Sequence, residues 1–95
     1  MKIAAIIEYA LGNEKLKTIA PAHREYLRGF LENEQLRAAG PLADDAGALW
    51  VLEVEGLDEA ETIIKGDPYF AAGVFVKWQL HPLAYWSAKE AKGSK

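Results

Sequence analysis

At 95 residues the chain has room for one hydrophobic core and no second domain. A net charge of −3 and a pI near 5.3 argue against nucleic acid or an anionic membrane as the main partner. The absence of cysteine excludes disulfides, thiolate zinc sites and a cysteine nucleophile. No apolar run reaches the roughly 18 residues that span a bilayer, so a cytoplasmic protein is expected.

Ile3 to Tyr9 is β-branched and apolar on both faces except at Glu8, which predicts a central first strand. Leu11-Gly12-Asn13 reads as a turn. Leu16, Ile19, Ala20, Leu27, Phe30 and Leu31 recur at helical spacing, and His23 falls on the same stripe. Pro21 interrupts that stripe. A proline costs little at the first helical position and much in an interior. The expectation is therefore a short piece over 14–19 and a main helix over about 21–34, with His23 in its first turn.

Leu36 to Leu42 predicts a short strand, with Gly40-Pro41 marking an edge. Asp44-Asp45-Ala46-Gly47 is a turn, and Leu49 to Glu55 alternates well enough for a strand. Asp58 with Glu61 resembles a capping box opening a second helix, whose core face is Ala60, Ile63 and Ile64 and whose stop is Gly66. Asp67-Pro68 opens another turn, with Asp as cap and Pro at the first position. In the last strand, Val74, Val76, Trp78 and Leu80 are expected to face opposite to Phe75, Lys77 and Gln79. Residues 87–95 are expected to form a frayed tail behind a domain of 1–86.

The order β-α-β-β-α-β is the split βαβ plan: an α+β, ferredoxin-like domain with a four-stranded antiparallel sheet and two main helices on one face. Strands one, three and four carry apolar residues of both parities. The uncovered face is therefore expected to be buried in a homodimer, with higher assembly left open.

With those pieces in order, the chain resembles the YciI-like (YCII-related) proteins of the dimeric α/β-barrel superfamily. The resemblance rests on Pro21-Ala22-His23, Tyr26-Leu27, Gly40-Pro41-Leu42, Asp67-Pro68-Tyr69, Gly73 and His81-Pro82-Leu83. It implies a dimer of ferredoxin-like protomers with a His–Asp pair in a cleft, here His23 and Asp67. It also implies chemistry on small cyclic or aromatic metabolites without metal or organic cofactor, such as isomerisation or dehydrohalogenation. Two departures stand out. The family often has an arginine three residues before the histidine, where this chain has Ala20. A small Gly-Ser pair common after the turn glycine is Ala48-Leu49 here. Both point to a more apolar pocket, walled by Trp50 and Tyr69.

Each candidate also has a plainer reading. In a first helical turn the His23 imidazole would feel the positive end of the helix dipole, which favours its neutral form. A carboxylate beside it would pull the other way and fix its tautomer. The plainer reading is a partly buried histidine satisfied by a backbone carbonyl. Asp67 before Pro68 is explained by helix capping alone. Tyr69 and Tyr26 are candidate oxyanion donors or simple core fillers, and Arg24 would hold a carboxylate only if it turns inward. A metal on His23 and His81 is disfavoured, since they lie on separate elements without clustered carboxylates. Two functions follow. The first is a small enzyme using His23 and Asp67 for proton transfer; the second is a dimeric, non-catalytic ligand-binding or accessory module.

Overall fold

The structure is a computed structural model that describes residues 1–10 and 14–84; the turn expected at 11–13 and the tail at 87–95 lie outside the described residues. Strands β1 (Lys2–Tyr9), β2 (Leu36–Pro41), β3 (Gly47–Glu53) and β4 (Phe75–Pro82) form one antiparallel sheet in the order β2-β3-β1-β4. Helices α1 (Lys15–Glu32), α2 (Leu57–Gly66) and the single turn α3 (Pro68–Ala71) complete it. This is the expected α+β, ferredoxin-like plan, with β1 and β3 central and β2, carrying Gly40-Pro41, at an edge.

Strand alternation decides what is buried. Ile3, Ala5, Ile7 and Tyr9 of β1 and Ala48, Trp50 and Leu52 of β3 are sealed with Leu27 of α1 and Ala60, Ile63 and Ile64 of α2. The opposite parity, including Ile6 and Leu49, which pair across the two strands, is left exposed. Gly47 is required where β3 starts, because a Cβ there would collide with the Ile7 carbonyl oxygen on β1.

Three expectations are corrected. Helix α1 does not break at Pro21 but runs through it. The missing hydrogen bond falls on the exposed side, while Leu16, Ile19, Ala20 and Phe30 pack on one continuous core face. The Asp58–Glu61 box is not formed: Gly56 is the N-cap, and the Glu59 carboxylate accepts from the Glu55 amide at 3.3 Å. In β4 the pairing slips between Glu8 and Tyr9, so Phe75 pairs with Tyr9 and Lys77 with Glu8. Val76 becomes the extra residue of a bulge and is 56% exposed, and Phe75, expected opposite to Trp78 and Leu80, is buried in the core against which they pack.

Candidate active site

Asp67 links α2 to α3, and its two carboxylate oxygens do different things. Oδ1 accepts the Tyr69 amide at 2.8 Å, capping α3 with Pro68 in the first helical position. Oδ2 accepts from His23 Nδ1 at 2.7 Å, across 44 residues of chain. The Asp67 side chain is fully buried and that of His23 is 12% exposed. The capping reading and the pairing reading of Asp67 therefore both hold.

This arrangement fixes the imidazole. A carboxylate only accepts, so in neutral His23 the proton sits on Nδ1 and Nε2 keeps its lone pair. No described group bonds Nε2, and no buried side-chain nitrogen is left without a partner, so Nε2 opens outward. The ring is clamped face to face on Tyr69, with centroids 3.9 Å apart and planes 11° from parallel. Because α1 starts at Lys15, His23 lies well inside the helix and not in its first turn. The expected influence of the helix dipole therefore does not reach it, since the dipole fades within a turn of the helix end.

Nε2 faces a cleft of about 860 Å³ between α1 and the β2–β3 side of the sheet. Its walls are mainly apolar, from Leu16, Leu27 and Leu31 on the helix to Ala48 and Trp50 on β3. Trp50, 1% exposed, stands edge-on to Phe75 at 5.9 Å. Ala20 and Ala48, which occupy the positions of the family's common arginine and small residues, both line this cleft, whereas Leu49 points to the open face. Arg24 lies at the cleft, and its charge reaches the Tyr69 phenol. Burial first and then Asp67 push that phenol up, and Arg24 only partly offsets them.

Tyr26 does not join the cleft-lining residues. Its hydroxyl donates to the Ile63 carbonyl at 2.8 Å, tying α1 to α2, and its ring packs on Phe30 at 5.0 Å. Gly66 makes room for it, since a Cβ there would meet the Tyr26 hydroxyl. Gly40 has no such duty: nothing lies within 4 Å of a Cβ built on it. Gly73, at φ +80°, does need glycine's backbone freedom in the turn before β4. His81 pairs with Ala4 on the open side of the sheet, away from His23, and contacts Gln79 at 3.3 Å. No three metal-ligating side chains cluster among the described residues. No described helix is long and apolar enough to cross a membrane.

One site residue escaped the sequence reading. Tyr9 lines the cleft, packed edge-on against Tyr69 at 5.9 Å and stacked on Phe75 at 5.7 Å. The signal was available, because Tyr9 continues the Ile3, Ala5, Ile7 alternation onto the helix-covered face.

Residues 1–84 match the YCII-related domain. The chain belongs to the YCII-related family. Within known proteins it is 35% identical over 51 residues to "Uncharacterized protein YjpA" of Bacillus subtilis (strain 168), a match that takes in 54% of this chain and 60% of that protein. Among solved structures the fold is similar to 5-chloro-2-hydroxyhydroquinone dehydrochlorinase (TftG) from Burkholderia phenoliruptrix AC1100, in complex with 2,5-dihydroxybenzoquinone. That likeness has a TM-score of 0.68 at 21% identity, covering 90% of this chain and 96% of the other. At that identity it speaks for the fold alone.

Proposed function

We propose that this YCII-related protein is a cofactor-free enzyme that moves a proton on a small cyclic or aromatic metabolite. The observation that carries the reading is the 2.7 Å contact between buried Asp67 and His23 Nδ1, which leaves Nε2 open to an apolar cleft. Nε2 takes a proton from a substrate O–H or C–H. The imidazolium that forms is then held against the Asp67 carboxylate until it returns the proton. Tyr69 keeps the ring in plane, and Trp50 supplies an apolar wall for a flat substrate. The dehydrochlorination named for the structural neighbour is one chemistry that such an acid–base pair serves.

A second reading is supported by Ala20 and Ala48. They leave the cleft without an arginine or a small hydroxyl at those positions, which suits a non-catalytic binding module. Turnover separates the two. Lactones and hydroxylated or halogenated aromatic rings are screened with the wild type, His23→Ala and Asp67→Asn. The enzyme reading expects activity that falls on the order of 10²–10⁴-fold in both variants, with unchanged circular dichroism. Binding without turnover in the wild type would leave the module.

The same reading includes a homodimer. Ile6 and Leu49 are 46% and 45% exposed side by side on the helix-free face, next to Ala4 and Val51. A second copy would remove that patch from water. Sedimentation of Ile6→Asp tests this: the wild type is expected as a dimer and the variant as a folded monomer. A monomeric wild type at micromolar concentration refutes it.

A further inference from the structure

Tyr9 carries a hydroxyl that the fold does not use. The residue is only 7% exposed, and its ring is fixed between Phe75 and Tyr69. Tyr26 gives its hydroxyl hydrogen to the Ile63 carbonyl at 2.8 Å, and Tyr69 to the Leu16 carbonyl at a longer 3.4 Å. The Tyr9 hydroxyl has no partner among the described residues. It is not sealed in either, because no buried side-chain oxygen is left unpaired, and the residue lines the cleft. Phenylalanine would supply the same ring packing with no polar atom to desolvate. Packing therefore accounts for the ring and not for the hydroxyl.

Its protonation suits a donor. Burial first, then the Tyr69 hydroxyl and the Asp67 and Asp45 carboxylates, push the phenol up to about 12. It therefore keeps its hydrogen throughout the neutral range. His23 lies on the face of the Tyr69 ring at 3.9 Å, and Tyr9 meets the same ring in a T-shaped contact at 5.9 Å. The cleft thus presents an acceptor, Nε2, and a donor, the Tyr9 hydroxyl, at two separate points around one aromatic ring.

Resting on the reading of this cleft as a ligand site, we infer that Tyr9 touches the ligand directly and sets its class. Its hydroxyl donates to one ligand oxygen while His23 Nε2 faces a second, so that a ring bearing two oxygens is chosen over a bare apolar ring. Trp50 and Leu27 favour both rings alike; the two polar groups discriminate between them.

The test uses hydroquinone and toluene as probes, titrated into the wild type, Tyr9→Phe and His23→Ala and followed by NMR. Tyr9→Phe is expected to weaken hydroquinone binding about 3–10-fold, the value of one neutral hydrogen bond, and to leave toluene binding unchanged. In the wild type, with tyrosine carbon-labelled where it bears the hydroxyl, the Tyr9 signal is expected to move with hydroquinone and not with toluene. That second measurement needs no variant. Equal losses for both probes would reduce Tyr9 to ring packing and overturn the inference. Unchanged hydroquinone binding in Tyr9→Phe, with binding still weakened in His23→Ala, overturns it and leaves the proposed function standing. Failure of the wild type to bind hydroquinone overturns the inference and leaves the proposed function to its own turnover screen.

Discussion

Replacing Asp67 by asparagine changes a proton's address while barely changing a shape. The asparagine oxygen can still accept the Tyr69 amide, so the cap on α3 survives. Its NH₂ group, however, now faces His23 Nδ1, which must accept instead of donate. The tautomer reverses, and Nε2 acquires the hydrogen that disqualifies it as a base. One hydrogen bond to an ionised group, worth about 1.5–3 kcal/mol, becomes a neutral one worth about 0.5–1.5 kcal/mol, so the expected loss of stability is about 1 kcal/mol. Asp67→Ala should cost more. It removes the cap, about 1 kcal/mol, and leaves the Nδ1 hydrogen of a largely buried imidazole unpaired, a further 1–3 kcal/mol or so. Urea unfolding of the two variants is therefore expected to separate them by about 1–3 kcal/mol. Long-range proton–nitrogen spectra of neutral His23 would show hydrogen on Nδ1 in the wild type and on Nε2 in Asp67→Asn. If hydrogen stays on Nδ1 in the asparagine variant, the carboxylate does not set the tautomer and the reasoning fails.

Three other outcomes are expected. The Tyr9 phenol, raised to about 12, favours the folded state below the unfolded value near 10 and loses that contribution as pH rises between the two. Alkaline unfolding should therefore become shallower over that window in Tyr9→Phe, and an unchanged slope would refute it. Gly47→Ala pushes a methyl group into the Ile7 carbonyl oxygen, backbone against backbone, and should destabilise by at least about 2 kcal/mol in urea unfolding; a neutral result would mean that β1 and β3 can separate there. Pro21→Ala restores a hydrogen bond on an exposed helix position, a gain of about 3 kcal/mol offset by about 1 kcal/mol of lost rigidity in the unfolded chain. A net gain of about 2 kcal/mol in urea unfolding is expected, and a lower midpoint would show that the helix depends on the proline.

Where one periodicity dominated, the sequence was readable. Ile3 to Tyr9, apolar on both faces, reads as a central strand and lies between β3 and β4; the alternation of Leu49 to Glu55 marks β3, which ends at Glu53, and His23 lies on the apolar stripe of α1 because that stripe faces the core. The misreadings arose where tertiary packing outweighed a local rule. Pro21 signals a break, but the core contacts on either side of it hold a single helix together. Val76 and Phe75 exchanged faces through a bulge that only the partner strand dictates. Tyr26 and Tyr69 look alike in sequence, yet one is committed to the Ile63 carbonyl and the other to the imidazole, because their rings leave their elements in different directions. For Asp67 the residues around it spell only a helix cap, and its pairing with His23 was legible only through the family resemblance, since local sequence cannot reveal the use of a second carboxylate oxygen.

The 2.7 Å contact between His23 and Asp67 closes a loop of 44 residues. It cannot be drawn shut while the chain is loose without the entropic cost of joining distant segments. The intervening segment contains β2, β3 and α2, and docking them first lowers the cost of bringing imidazole and carboxylate together. Assembly of the His23–Asp67 pair is thus expected late in folding, with the His23 Nδ1 proton signal as its clock. In a stopped-flow refolding experiment, core fluorescence from Trp50 should recover no later than this pair does.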